Sequence, residues 1–110
     1  MKIAFTTSGN DLNAPLDNRF GRTPKFLVYD LNEDTFEVVD NQKNVNAAGG
    51  AGTDAAGTLV RHGVNGVVTG YCGPNAYRVL SAAGIKVYYT YATTLAGALE
   101  QYRSGKLSEA

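Results

Sequence analysis

The sequence predicts one α/β domain spanning residues 1–110, built on a mixed five-stranded sheet covered by helices. Short strand-like runs fill the first third of the chain with no helical pattern between them. From Asp54 onward helical and strand patterns alternate to the end, which calls for crossover connections and parallel pairing. A length of 110 residues with 44% hydrophobic and 18% charged residues suits one soluble core and is too short for two.

Lys2 to Thr7 reads as a strand of alternating and β-branched character. Ser8 to about Thr23 is a polar loop punctuated by Asn, Asp, Gly and Pro; loops longer than ~12 residues often carry function. Lys25 to Leu31 and Phe36 to Asp40 form a strand pair around the Asn-Glu-Asp-Thr turn. Asn41 to Thr53, with Gly49, Gly50 and Gly52, has no apolar period and predicts a mobile connection. Asp54 to His62 spaces Ala55, Ala56, Leu59 and Val60 as one helix face and stops at Gly63. Gly66 to Thr69 is a buried-strand pattern, and Gly73-Pro74 opens a second helix running to about Ala83. Ile85 to Tyr89 is the fifth strand, and Thr93 or Thr94 caps a third helix that presents Leu95, Ala98, Leu99 and Tyr102. The order is β-β-β-α-β-α-β-α, and the tail Lys106 to Ala110 is expected to fray.

Ten basic residues balance ten acidic ones, so no global field favours nucleic acid or an anionic membrane. No apolar run approaches the ~20 residues of a membrane span. Met1 leads into an apolar stretch too short for a secretory signal, which points to the cytoplasm. Cys72 is the only cysteine, so an internal disulfide and a multi-thiolate zinc site are both excluded. Any metal here uses other ligands or arrives with its own.

Four features in order then carry a family resemblance over essentially the whole chain. They are the opening Met-Lys-Ile-Ala strand, Arg19-Phe20-Gly21-Arg22-Thr23-Pro24-Lys25-Phe26 followed by a Gly-rich link, Gly70-Tyr71-Cys72-Gly73-Pro74-Asn75-Ala76, and Ala83-Gly84-Ile85-Lys86-Val87-Tyr88. The chain resembles the dinitrogenase iron-molybdenum cofactor biosynthesis family. That resemblance implies a ribonuclease-H-like fold and binding or carriage of the nitrogenase cofactor or its precursors. Small stand-alone relatives exist, one of which carries a mixed molybdenum-copper sulfide cluster. Many relatives have histidine in the link before the first helix, where this chain has Asn46-Ala47-Ala48-Gly49-Gly50-Ala51-Gly52. Histidine ligation from that link is therefore not available, and a molybdenum-copper sulfide cluster is expected ahead of iron-molybdenum cofactor.

Such clusters are anionic and bring sulfide ligands, so backbone N–H groups, guanidinium groups and a fitted wall can hold them. The crevice at the carboxyl ends of the parallel strands is the expected position, reached by the loops Ser8 to Arg22, Gly70 to Asn75 and Tyr89 to Thr94. The candidate site residues are Arg19 and Arg22 for positive charge, Gly70 and Gly73 for close backbone approach, and Asn75 in the first turn of the second helix. Cys72 is the candidate metal ligand, because a thiolate is favoured at a helix N-terminus, although a lone cysteine also serves as a small buried hydrophobe. Arg19 and Arg22 can instead be loop charges paired with Asp17 and the acidic hairpin. His62 ends the first helix, where an imidazolium would meet the helix dipole.

A two-metal nuclease needs carboxylates, and the opening strand has none; one histidine and one cysteine build no catalytic arrangement. A non-catalytic carrier is expected. The alternative is an interaction module without a cofactor, working with ATPase-like or cell-division partners.

Overall fold

The computed structural model describes residues 1–45 and 50–110. Alternation of side chains along Lys2–Thr7 (β1), Lys25–Asp30 (β2), Thr35–Asp40 (β3), Gly66–Thr69 (β4) and Lys86–Tyr89 (β5) builds a two-sided sheet. The strand order is β3-β2-β1-β4-β5-β6, where β6 is Ser108–Glu109. β1 is parallel to β4 and β4 to β5, whereas β2, β3 and β6 each run antiparallel to their neighbours. On one face Ala4, Phe26, Val28, Val67 and Val87 pack against Ala51–Arg61 (α2) and Pro74–Ala82 (α3). On the other, Ile3, Phe5, Leu27, Tyr29 and Val68 meet Leu95–Arg103 (α4) together with Ala14 and Leu16 of the long loop. No helix among the described residues is long and apolar enough to cross a membrane.

Two expectations are corrected. The sheet has six strands, not five, because the tail does not fray: Ser108 and Glu109 pair with Tyr89 and Tyr88, and Ala110 N–H donates to the Val87 carbonyl at 2.7 Å. The outer edge of β5 offers unpaired backbone groups, and a tail with no strand-like composition satisfies them. The two ends of the link are helical. Gln42–Val45 form a helical turn (α1), and α2 starts at Ala51 rather than Asp54, while 46–49, the heart of the expected mobile connection, lie outside the described residues. Gly50, at φ 73°, turns the chain into that helix.

The long loop is held down by main-chain hydrogen bonds. Asp17 N–H donates to the Thr6 carbonyl, Phe20 N–H to Tyr71, Leu16 N–H to Thr93, and Leu95 and Ala96 N–H to Ala14 and Leu12. Asn41, fully buried, donates its side-chain amide to the Thr23 carbonyl and accepts from Asn44, fixing the far end of the same loop.

At the opposite end of the sheet, Asp34 occupies the left-handed region at φ 53° in the β2–β3 turn. Its carboxylate accepts from the Tyr29 hydroxyl at 2.9 Å and from the Arg103 guanidinium at 2.6 Å, tying the hairpin to α4. The Tyr29 hydrogen bond, then that from Arg103 and its charge, hold the Asp34 carboxyl below its ordinary 3.8. A depressed carboxylate stabilises the fold above its ordinary value, and the contribution disappears as pH falls through the lower folded value. Thermal unfolding is therefore expected to show Asp34→Asn less stable than the parent at pH 7, with the gap closing below pH 3.8. A gap independent of pH would assign the effect to turn geometry alone.

Candidate functional site

The first turns of α2 and α3 lie side by side at the carboxyl edge of the parallel strands. A Cβ on Gly52 would stand 3.2 Å from the Ala76 Cβ, and one on Gly21 would stand 2.7 Å from the Gly52 Cα. Gly21 is thus required by the close packing of the loop onto α2, and Gly52 lets α2 approach α3 closely. The result is a cleft of about 210 Å³ lined by Gly21, Gly50, Gly52, Thr53, Gly73, Pro74, Asn75 and Ala76.

Among the described residues, no side chain caps either helix. The cap positions are Gly50 and Gly73, and the first intrahelical bonds run from Asp54 N–H to Gly50 and from Tyr77 N–H to Gly73. The N–H groups of Ala51, Gly52 and Thr53, and of Asn75 and Ala76, precede those bonds and aim out of the helix ends. Together with two helix dipoles, they favour negative charge at the cleft, and none of the described residues that line it is cationic. Asp54 is the one acidic residue in these first turns and is exposed.

The expected site residues separate into five positions. Gly73 and Asn75 line the cleft, Gly73 at φ −66° with open space where a Cβ would sit, and Asn75 accepting from Arg78 at 3.3 Å. Gly70 serves the fold: a Cβ there would come within 2.8 Å of the Asn18 Cα, so the loop crosses the turn only over glycine. Arg19 lines a neighbouring cleft with Ser8, Pro15, Leu16, Asp17 and Asn18, and its guanidinium lies 3.7 Å from the Asp17 carboxylate. Arg22 is exposed and directly follows Gly21 of the glycine contact.

Cys72 points into the core, 3% exposed, in the same apolar cluster as Phe20, Phe26 and Ala76. Burial pushes its thiol up to about 11, against an ordinary 9.0, so helix-end stabilisation of a thiolate loses to desolvation. The backbone of Cys72 is held instead: its N–H donates to the Tyr89 hydroxyl at 3.2 Å, and that hydroxyl donates to the Cys72 carbonyl at 3.0 Å. Tyr89 in turn packs against Tyr71 at 6.0 Å between ring centroids. The other tyrosines near the end of β5 are Tyr88, edge-to-face with Tyr102, and Tyr91, 97% exposed. His62 faces the Glu37 carboxylate at 3.4 Å.

Sequence reasoning missed Gly21, Gly50, Gly52 and Thr53. The available signal was glycine at both helix entries, where Ser, Thr, Asp or Asn usually caps; their absence leaves the N–H groups for another acceptor. Among the described residues no group of three or more His, Cys, Asp or Glu side chains comes together to hold a bare metal ion.

No curated protein matches the sequence significantly. The apo form of the orange protein from Desulfovibrio gigas superposes with a TM-score of 0.96 at 37% identity, over 99% of this chain and 92% of that one. A DUF35-family protein from Thermotoga, solved by NMR, gives a TM-score of 0.87 at 33% identity, over 98% and 91%. A Methanocaldococcus jannaschii protein at 20% identity, with a TM-score of 0.75 over 100% and 94%, shares the fold. The sequence model of the family described as "Dinitrogenase iron-molybdenum cofactor" matches residues 1–105, and the chain belongs to that family.

Proposed function

We propose that this chain, acting as one domain and without catalysis, binds and carries an anionic molybdenum-containing sulfide cluster in the cleft between the first turns of α2 and α3. The observation that carries the reading is the convergence of two uncapped helix N-termini on a glycine-lined wall, in a member of a nitrogenase-cofactor family. The wall fits a cluster that arrives with its own sulfide ligands, because it offers N–H donors and, among the described residues, no thiol, imidazole or carboxylate side chain that would replace a sulfide. The same donor set favours a molybdenum-copper sulfide cluster over iron-molybdenum cofactor, whose transfer from relatives would lean on a histidine that this link lacks. The meander followed by parallel crossovers supports the ribonuclease-H-like classification, and the cytoplasm remains the proposed location.

In this reading Gly73 and Asn75 flank the cluster, and Arg22, next to Gly21, supplies outer positive charge. Arg19 acts at a distance through its own cleft, where Asp17 offsets its charge. Gly70 shapes the turn. Cys72 is left out of the ligand set, since a buried, protonated thiol is a poor metal ligand.

The test is the visible spectrum of the pure protein before and after tetrathiomolybdate and copper, with metal analysis of the desalted sample. Persistent charge-transfer bands with bound molybdenum are expected. A colourless, metal-free protein would overturn the carrier reading in favour of the interaction module with ATPase-like or cell-division partners.

Gly73→Asp separates the site from the fold. Aspartate caps α3 better than glycine by a few tenths of a kcal/mol, so melting temperature should rise slightly. Its carboxylate also occupies the N–H groups and repels the cluster, so molybdenum retained after desalting should fall by roughly tenfold. Gly70→Ala should do the reverse, costing about 1–3 kcal/mol of stability through the Asn18 clash.

Cys72 gives a pH test. Its thiolate appears only as pH approaches about 11, so alkylation of the native protein should stay slow at pH 8, with or without cluster. Because the folded thiol holds its proton longer than the unfolded one, stability should decline between the ordinary 9.0 and about 11. Rapid alkylation at pH 8 that the cluster blocks would restore Cys72 to the ligand set.

A further inference from the structure

We propose that the outer edge of β3 docks an extended segment of a partner protein, one that alternates apolar with basic residues, by strand addition. β3 is the terminal strand on its side of the sheet, six residues long and paired with β2 without a bulge. The hydrogen bond from Asn41 N–H to the Pro24 carbonyl fixes the phase of that ladder. Since bonded and non-bonded pairs alternate, Thr35, Glu37 and Val39 bond to β2, while Phe36, Val38 and Asp40 turn their N–H and C=O groups outward.

The side chains extend the same surface. Phe36 and Val38 stand opposite Tyr29 and Leu27, which are 5% and 0% exposed, yet are themselves 42% and 36% exposed. The apolar face of the sheet therefore runs out to the edge, where none of the described residues buries Phe36 or Val38. Edges are usually blunted by charged side chains, proline or a bulge; Thr35–Asp40 has no lysine, proline or bulge, and its two charges, Glu37 and Asp40, are both acidic and deter another acidic strand rather than a basic one. A strand added here gains main-chain hydrogen bonds and places alternate side chains beside Phe36 and Val38.

Charge selects the occupant. Asp30 to Asp40 contains five acidic residues and no basic one; Asp34 already faces Arg103 and Glu37 faces His62, while Asp30, Glu33 and Asp40 add further negative charge along this edge. A second copy of the strand would bring five more carboxylates against these, whereas lysine or arginine at alternate positions complements them. The edge shares no residue with the cluster cleft, so this inference stands independently of the carrier reading.

Amide exchange in the full-length, ¹⁵N-labelled protein tests it, using a synthetic six-residue peptide of alternating lysine and valine, with a glutamate-valine peptide as control. The lysine peptide should slow exchange at Phe36 and Val38 by about tenfold or more, and added salt should weaken the effect. The glutamate peptide should do nothing. In Val38→Pro the lost N–H is one that points away from β2, so the ladder survives, and peptide protection should vanish while the remaining amides keep their protection. Absent slowing, equal slowing by both peptides, or undiminished protection in Val38→Pro would each overturn the proposal. Slowing that grows with protein concentration alone would overturn it in favour of a second copy.

Discussion

The arrangement depends on main chain passing main chain at distances only glycine allows. At Gly21 the long loop rests on the first turn of α2, and at Gly70 the β4–α3 turn passes under Asn18; a Cβ at either place would stand under 3.0 Å from backbone. These contacts bring the loop after β1, the turn after β4 and the entry of α2 to one edge of the sheet. The hydrogen bonds from Asp17, Phe20 and Leu16 then hold them with backbone geometry, leaving side chains free for other purposes. A site assembled this way presents peptide N–H groups rather than side-chain ligands, and that sets its chemistry.

Such a wall suits cargo that is anionic, preformed and already coordinated. Thiolate or imidazole ligation would compete with the sulfides of a cluster, whereas N–H donors stabilise its charge without exchanging its ligands. Cys72 lies close along the chain but turned into the core, and the Tyr89 hydroxyl secures its backbone at both N–H and C=O. The position controls the direction of the turn into α3, which gives the residue a structural role.

Much of this was legible from sequence. Alternation along Lys2–Thr7 and Lys25–Asp30, the glycine stops and the Pro74 entry gave strands and helices with small errors at their ends, because each signal is local. The sixth strand was not legible: Lys106 to Ala110 has no strand pattern, and only the open edge of β5 recruits it. Gly73 and Asn75, expected from sequence at the carboxyl edge, do line the cleft between α2 and α3, because a helix start after a parallel strand is a position that topology predicts. Gly21, Gly50 and Gly52 were not expected there, since glycine required by a three-dimensional contact looks the same in sequence as glycine in a loose link. The same limit applies to Cys72, whose direction of facing decided its protonation.

The central claim is that helix-end N–H groups hold the cargo. The most direct measurement is a ¹H–¹⁵N and ¹³C NMR titration of the protein with tetrathiomolybdate and copper(I). The account predicts the largest amide shifts at Ala51, Gly52, Asn75 and Ala76, with the Cys72 Cβ resonance unmoved. Shifts centred on the Asp17–Arg19 cleft, or a displaced Cys72 Cβ, would contradict it.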